Sequence, residues 1–114
     1  MFGFPTETEK EFMETINFLQ RNKENIDLLS ISTFGLQQGT PIFKNPEKFG
    51  VKKVQVLERK LLDAKITFET ESGLTPEQLL QLRKTHRHTL DKINKYSVGM
   101  NFFREHLLIV SESL

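Results

Sequence analysis

The chain opens with the sequence MFGFPTET (residues 1–8), and this stretch decides which fold class the remainder can belong to. Two phenylalanines flank a glycine, as at the end of a buried strand, and a proline then stops the strand. Thr8 and Glu11 have the Thr-x-x-Glu spacing of a capping box, which opens a helix. The stretch therefore predicts a strand whose beginning lies upstream, followed by a strand-to-helix turn of the kind that carries ligand contacts in α/β proteins.

Residues 9–34 predict the rest of a βαβ unit. Phe12, Ile16 and Leu19 form one apolar stripe on a helix that we expect over residues 9–22. Aliphatic and β-branched residues over 26–34 then predict a buried strand. A strand, a helix and a second strand within roughly thirty residues imply a parallel pair with a right-handed crossover.

The middle of the chain is predicted to hold a loop and a β-hairpin. Two glycines and a proline in residues 35–43 indicate a structured loop at the carboxyl end of the second strand, where ligands bind in parallel α/β proteins. Residues 51–73 alternate as strands do, although some of their apolar positions also fit a helical turn or two. We favour the hairpin, in which residues 63–71 pair with 53–57.

Two helices are expected to end the chain. Thr75, Pro76 and Gln78 supply an N-cap, a first-turn proline and a capping-box partner, so a helix should run from about residue 76 to 95. A final helix or short apolar segment is expected over residues 99–110.

Composition is that of a single soluble domain. The chain has 114 residues, of which 37% are hydrophobic and 27% charged. A net charge of +1 creates no field that would attract nucleic acid or an anionic membrane, so we expect neither as a partner. No apolar run of about twenty residues and no basic-then-apolar leader is present, which favours a cytoplasmic location.

Several short motifs resemble the late barrel of radical S-adenosylmethionine (SAM) enzymes. Residues 3–8 (GFPTET) are similar to a family segment that usually reads Gly-(Phe/Leu)-Pro-Gly-Glu-Thr, with Thr6 in place of the usual glycine. Phe-Gly-Leu at 34–36, Gly-Thr-Pro at 39–41 and Asn-Pro-Glu-Lys at 45–48 follow in the order in which the family has them. The resemblance is closest to members that carry an upstream cobalamin-binding domain.

The fold implied by this resemblance is α/β. Residues 1–50 would be the C-terminal βαβ fragment of a radical SAM partial TIM-type barrel with its exit loop. Residues 51–114 would be a C-terminal extension made of the β-hairpin and the two C-terminal helices.

The resemblance also implies what the whole enzyme does. Such an enzyme binds SAM and a [4Fe-4S] cluster, cleaves SAM reductively and abstracts hydrogen from a substrate, here unknown; a need for cobalamin is left open. The cluster is held by cysteines, commonly spaced Cys-x-x-x-Cys-x-x-Cys, and this chain has no cysteine. The chain alone should therefore bind no cofactor and be inactive, and its partner would be the missing N-terminal part of the same protein.

By the same resemblance, only contacts to SAM could come from this chain. The candidates lie at the ends of the two predicted strands and are Gly3, Pro5, Glu7, Phe34, Gly35 and Leu36. Glu7 has a second interpretation, because an acidic residue just before a helix is also stabilised by the helix dipole.

The remaining polar residues predict neither catalytic nor metal-ligating groups. The basic run at residues 83–88 has no glycine loop or aromatic platform beside it and is typical of a solvated helix face. His86 and His88 point to opposite sides of a helix and cannot chelate one metal, so His86 is expected at the edge of the core.

The alternative function is a stand-alone interaction or regulatory module that presents the basic face of the helix after Thr75 to a partner. A barrel fragment, in contrast, would expose strand edges and apolar surface, and should form a homo-oligomer.

Overall fold

The computed structural model describes residues 1–59, 61–62 and 64–96. Within them the fold is mixed α/β, with three helices and one two-stranded sheet. The elements in chain order are α1 (Glu9–Arg21), a 3₁₀ turn (Lys23–Asn25), α2 (Pro41–Lys44), a second 3₁₀ turn (Pro46–Phe49), β1 (Val51–Leu57), β2 (Lys65–Thr70) and α3 (Pro76–Ile93). The helix expected over residues 99–110 lies outside the described residues.

Both long helices begin with the predicted capping boxes. In α1, the Thr8 hydroxyl accepts the Glu11 N–H at 3.3 Å and the Glu11 carboxylate accepts the Thr8 N–H at 2.7 Å. The hydrogen bond from the Thr8 backbone lowers the pKa of Glu11, because it stabilises the charged carboxylate. In α3, Thr75 and Gln78 exchange the same pair of bonds. The predicted helix ends, at residues 22 and 95, differ from the observed ones by one and two residues.

The predicted parallel pair is present as a single bridge. Phe2 pairs with Thr33 in parallel: the Phe2 N–H donates to the Ser32 carbonyl at 2.9 Å, and the Phe34 N–H donates to the Phe2 carbonyl at 2.8 Å. The rest of the predicted strands at 1–4 and 26–34 is not regular strand. This bridge gives the expected strand direction but does not establish a fragment of a barrel.

Local geometry ends the pairing directly after Phe2. Gly3 has a φ of +78°, which turns the chain away from the extended conformation directly after Phe2. On the other segment, the side-chain amide of Asn94 accepts the N–H of Leu29 and donates to its carbonyl. The backbone groups of Leu29 thus pair with a side chain at the end of α3.

The predicted hairpin is confirmed, and the helical alternative for residues 51–57 is wrong. β1 and β2 are antiparallel, with Val51 opposite Thr70 and Leu57 opposite Lys65. The register shifts between Lys52 and Gln55, where Lys53 has a φ of +48°, as in a β-bulge.

The core lies between α1, α3 and the Phe2 bridge. Its buried side chains are Phe2, Phe12, Ile16, Leu79, Leu90 and Ile93. The rings of Phe2 and Phe12 lie 4.5 Å apart, and half-buried His86 lies against Phe12, at the edge of the core as expected. No helix among the described residues has the length and apolar content needed to cross a membrane.

Candidate functional site

The candidate site is built around a tight turn over residues 4–7. The Glu7 N–H donates to the Phe4 carbonyl at 2.9 Å, with Pro5 at the second position and Thr6 at the third. Thr6 has a φ of +73°, as the third position of a type II turn requires. Glycine is favoured there, and a β-branched residue pays a steric penalty of roughly 1–2 kcal/mol.

The side chain of Glu7 folds back over this turn and binds the backbone of Gly3. Its carboxylate oxygen Oε2 accepts the Gly3 N–H at 2.6 Å, and the side chain is half-buried. A carboxylate that accepts a backbone N–H makes a strong, charge-assisted hydrogen bond. Glu7 therefore holds the conformation of the turn, and contact with a ligand stays a prediction for this residue.

Three glycines allow other segments to approach the turn closely. A Cβ on Gly73 would lie 2.6 Å from the Thr6 carbonyl carbon, and one on Gly50 would lie 2.8 Å from the Thr6 γ-methyl. A Cβ on Gly3 would lie 2.5 Å from the Leu79 side chain. The close approach at Gly73 is fixed by a hydrogen bond from the Leu74 N–H to the Glu7 carbonyl, 2.8 Å long. The turn is thus held by the loops that enter β1 and α3.

The second predicted segment, Phe34–Leu36, lies beside the turn. The ring of Phe34 meets that of Phe4 edge-on at 5.4 Å, and meets the ring of Phe68 in β2 at 5.7 Å. Leu36 and Pro5 are buried, main chain included, so little of either residue is accessible in this structure. At Gly35, by contrast, nothing lies within 4 Å of where a Cβ would be.

The structure therefore brings the six predicted residues into one neighbourhood but gives them different surroundings. Sequence reasoning missed the contact of Phe34 with Phe4 and Phe68. No local pattern in residues 65–70 indicates which loop the Phe68 face of β2 covers.

The basic run at residues 83–88 is partly used within the protein. The Arg83 guanidinium donates to the Thr33 hydroxyl, and Arg87 lies 3.7 Å from the carboxylate of Asp91. An open depression, lined by Glu14, Asn17, Gln20 and Arg21 on α1, contains none of the predicted site residues. In the described ranges, no three His, Cys, Asp or Glu residues come together as a metal site would require.

Comparison with known proteins finds a local similarity. The chain is 39% identical over 46 residues to the ribosomal protein uS12 methylthiotransferase RimO of Nostoc sp. (strain PCC 7120 / SAG 25.82 / UTEX 2576). The match covers 40% of this chain and 10% of RimO, so it spans about a tenth of that relative's length. No protein-family model and no solved structure matches the chain. The similarity fits a radical SAM relationship loosely, and nothing in it points to the cobalamin-binding group.

Proposed function

We propose that the chain is the C-terminal part of a radical SAM iron–sulfur oxidoreductase that acts in the cytoplasm. The observation that carries this proposal is the placement of two loops: the Phe2–Thr33 bridge runs parallel, and the residues that follow each partner meet through the rings of Phe4 and Phe34. Ligands of parallel α/β proteins bind where such strand ends lie side by side. The local similarity to RimO supports the same proposal.

In this proposal the chain supplies part of the SAM site and none of the cluster site. The chain has no cysteine, so the thiolates that hold the [4Fe-4S] cluster must come from the upstream part of the enzyme. The candidate contacts here are the backbone groups of the turn and of the Phe34–Leu36 segment. The open space beside Gly35 is where an adenine or a methionine moiety could approach the main chain. The isolated chain should neither cleave SAM nor carry out radical chemistry.

The first test reads the genomic DNA upstream of the codon for Met1. An open frame that continues into this one and encodes Cys-x-x-x-Cys-x-x-Cys supports the proposal. A stop codon followed by a ribosome-binding site just before Met1 contradicts it.

The second test uses the enzyme produced from that longer frame without oxygen. Gly35→Ala should weaken SAM binding, because the new methyl group enters the space beside the backbone, while the free energy of unfolding stays nearly unchanged. Ser30→Ala, at an exposed position of the preceding segment, is the matched control and should bind SAM as the wild type does. Equal SAM affinity of the two variants would contradict a role of the Phe34–Leu36 segment in SAM binding.

The alternative of an interaction module that uses α3 receives no comparable support. Two of the cations it would present, Arg83 and Arg87, already have partners within the chain.

A further inference from the structure

Thr6 adopts a backbone conformation that threonine rarely takes. Its φ of +73° lies in the left-handed region, where a β-branched residue is an outlier. Among the described residues, one other non-glycine residue has a positive φ, Lys53 in the bulge of β1. Residues held in such conformations cluster at sites that bind ligands or catalyse reactions. The turn over residues 4–7 needs a positive φ at its third position, but it does not need a threonine to supply it.

The surroundings of Thr6 fix its backbone and the direction of its side chain. Gly73 lies against the main chain of Thr6, because a Cβ on Gly73 would come within 2.9 Å of the Thr6 Cα. Gly50 lies against the γ-methyl group of Thr6. A change of backbone conformation at residue 6 would therefore disturb the loops that enter β1 and α3. The strained conformation is thus held in place by its neighbours.

The hydroxyl group of Thr6 has no partner of this kind. Within the described residues the γ-methyl group meets Gly50, whereas the hydroxyl makes no hydrogen bond. Thr6 is exposed, so its hydroxyl is open to solvent beside the turn. Thr8, Thr40 and Thr75, in contrast, use their hydroxyls to cap helices. Packing against Gly50 needs only a methyl group, which valine would also supply, so packing does not account for the hydroxyl.

A second side chain of the same turn suits the nucleoside part of SAM. Phe4, at the first position of the turn, is 44% exposed, and its ring meets that of Phe34 edge-on. An exposed aromatic ring is a surface on which a base can stack. A hydroxyl can donate a hydrogen bond to a base nitrogen or ribose oxygen, and can accept one from a ribose hydroxyl. The ends of a four-residue turn lie within about 7 Å, so Phe4 and Thr6 can meet the same small molecule.

We infer that Thr6 is a specificity-determining residue of the candidate site, whose hydroxyl forms a hydrogen bond with the nucleoside part of bound SAM. The inference rests on the proposed function and adds a side-chain contact to the backbone contacts named there. The glycine that the radical SAM segment usually has at this position carries no such group. The stability lost to the positive φ is then the counterpart of a contact that forms only when SAM binds.

Two substitutions separate the hydroxyl from the backbone strain. The enzyme from the longer frame is kept free of oxygen and of reductant, so that SAM stays intact, and equilibrium dialysis with labelled SAM measures affinity. Thr6→Val keeps the β-branched side chain but lacks the hydroxyl, and should bind SAM about three- to tenfold more weakly, as expected for one lost hydrogen bond. Thr6→Ser keeps the hydroxyl and should bind as the wild type does. Thr85→Val is the matched control, because the Thr85 hydroxyl is bonded to the Gln81 carbonyl within α3.

The urea midpoint of unfolding gives a readout that does not depend on SAM. Thr6→Gly should unfold at a higher midpoint than the wild type and yet bind SAM more weakly, whereas Thr6→Val should keep nearly the wild-type midpoint. Unchanged SAM affinity in Thr6→Val, or an equal loss in Thr85→Val, overturns the inference and leaves the proposed function standing. A wild-type enzyme that does not bind SAM overturns both.

Discussion

The α1–α3 core and the β1–β2 hairpin hold their shape by different means. Phe12 and Ile16 in the core are removed from water almost completely, whereas Val56 and Leu57 in the hairpin are not. Burying one large apolar side chain stabilises a fold by about 1.5–3 kcal/mol. The hairpin buries one such side chain, Val51, and otherwise relies on its ladder of backbone hydrogen bonds and on exposed ion pairs. An exposed ion pair is worth about 0.2–1 kcal/mol. The core therefore draws more of its stability from apolar burial than the hairpin does.

The two regions are joined at the turn over residues 4–7. The turn contacts the loop before α3 through Gly73 and Leu74, and contacts the start of β1 through Gly50. A hydrogen bond of 2.8 Å from the Glu71 N–H to the Gly50 carbonyl ties these two loops together. The candidate ligand site therefore lies where the α1–α3 core and the hairpin meet.

The largest loss of stability should come from truncating a side chain in the core. Phe12→Ala removes a fully buried ring that contacts Phe2 and His86, and should lower the free energy of unfolding by about 3–5 kcal/mol. The loss can be measured by urea unfolding, with circular dichroism as the signal. Phe18→Ala, on the exposed face of the same helix, should change the free energy by less than about 0.5 kcal/mol. Similar losses in the two variants would mean that the core is not where the structure places it.

The contact between the turn over residues 4–7 and the loop before α3 should show the next largest loss of stability on substitution. Gly73→Ala puts a Cβ within 2.6 Å of the Glu7 carbonyl oxygen, at a φ of +88° that alanine rarely adopts. The expected loss of unfolding free energy is about 1–3 kcal/mol. Gly35→Ala is the matched control, because its Cβ meets no atom within 4 Å, and it should leave stability nearly unchanged. If both substitutions are tolerated equally, the close approach of the two loops at Gly73 is not required.

Helix starts and the hairpin could be predicted from sequence because their signals are local. Thr8 with Glu11 and Thr75 with Gln78 lie three residues apart, and alternation over residues 64–69 needs no knowledge of distant segments. The extent of the parallel pair could not be predicted in this way. It depends on the backbone at Gly3, whose φ of +78° ends the extended conformation although the apolar pattern continues to Phe4. The candidate residues came from family resemblance, and their proximity came from ring contacts between segments far apart in sequence.

A smaller effect is expected where the turn itself is strained. Thr6→Gly should raise the free energy of unfolding by about 1 kcal/mol, because glycine adopts a φ of +73° without steric cost. Thr6→Ala keeps a Cβ and hence most of the strain, so it should gain much less. If Thr6→Ala stabilises as much as Thr6→Gly, the cause lies in the contact of the Thr6 γ-methyl with Gly50 rather than in backbone strain.

The smallest effect on stability should come from breaking an ion pair of the hairpin. Lys53 and Glu69 lie 2.8 Å apart across the two strands, with most of each side chain in solvent. A double-mutant cycle with Lys53→Gln and Glu69→Gln should give a coupling energy of about 0.2–1 kcal/mol. High salt should reduce this coupling, since exposed charges are screened. A coupling that is larger and independent of salt would mean that the pair is shielded from water in solution, as it would be if another chain covered the hairpin.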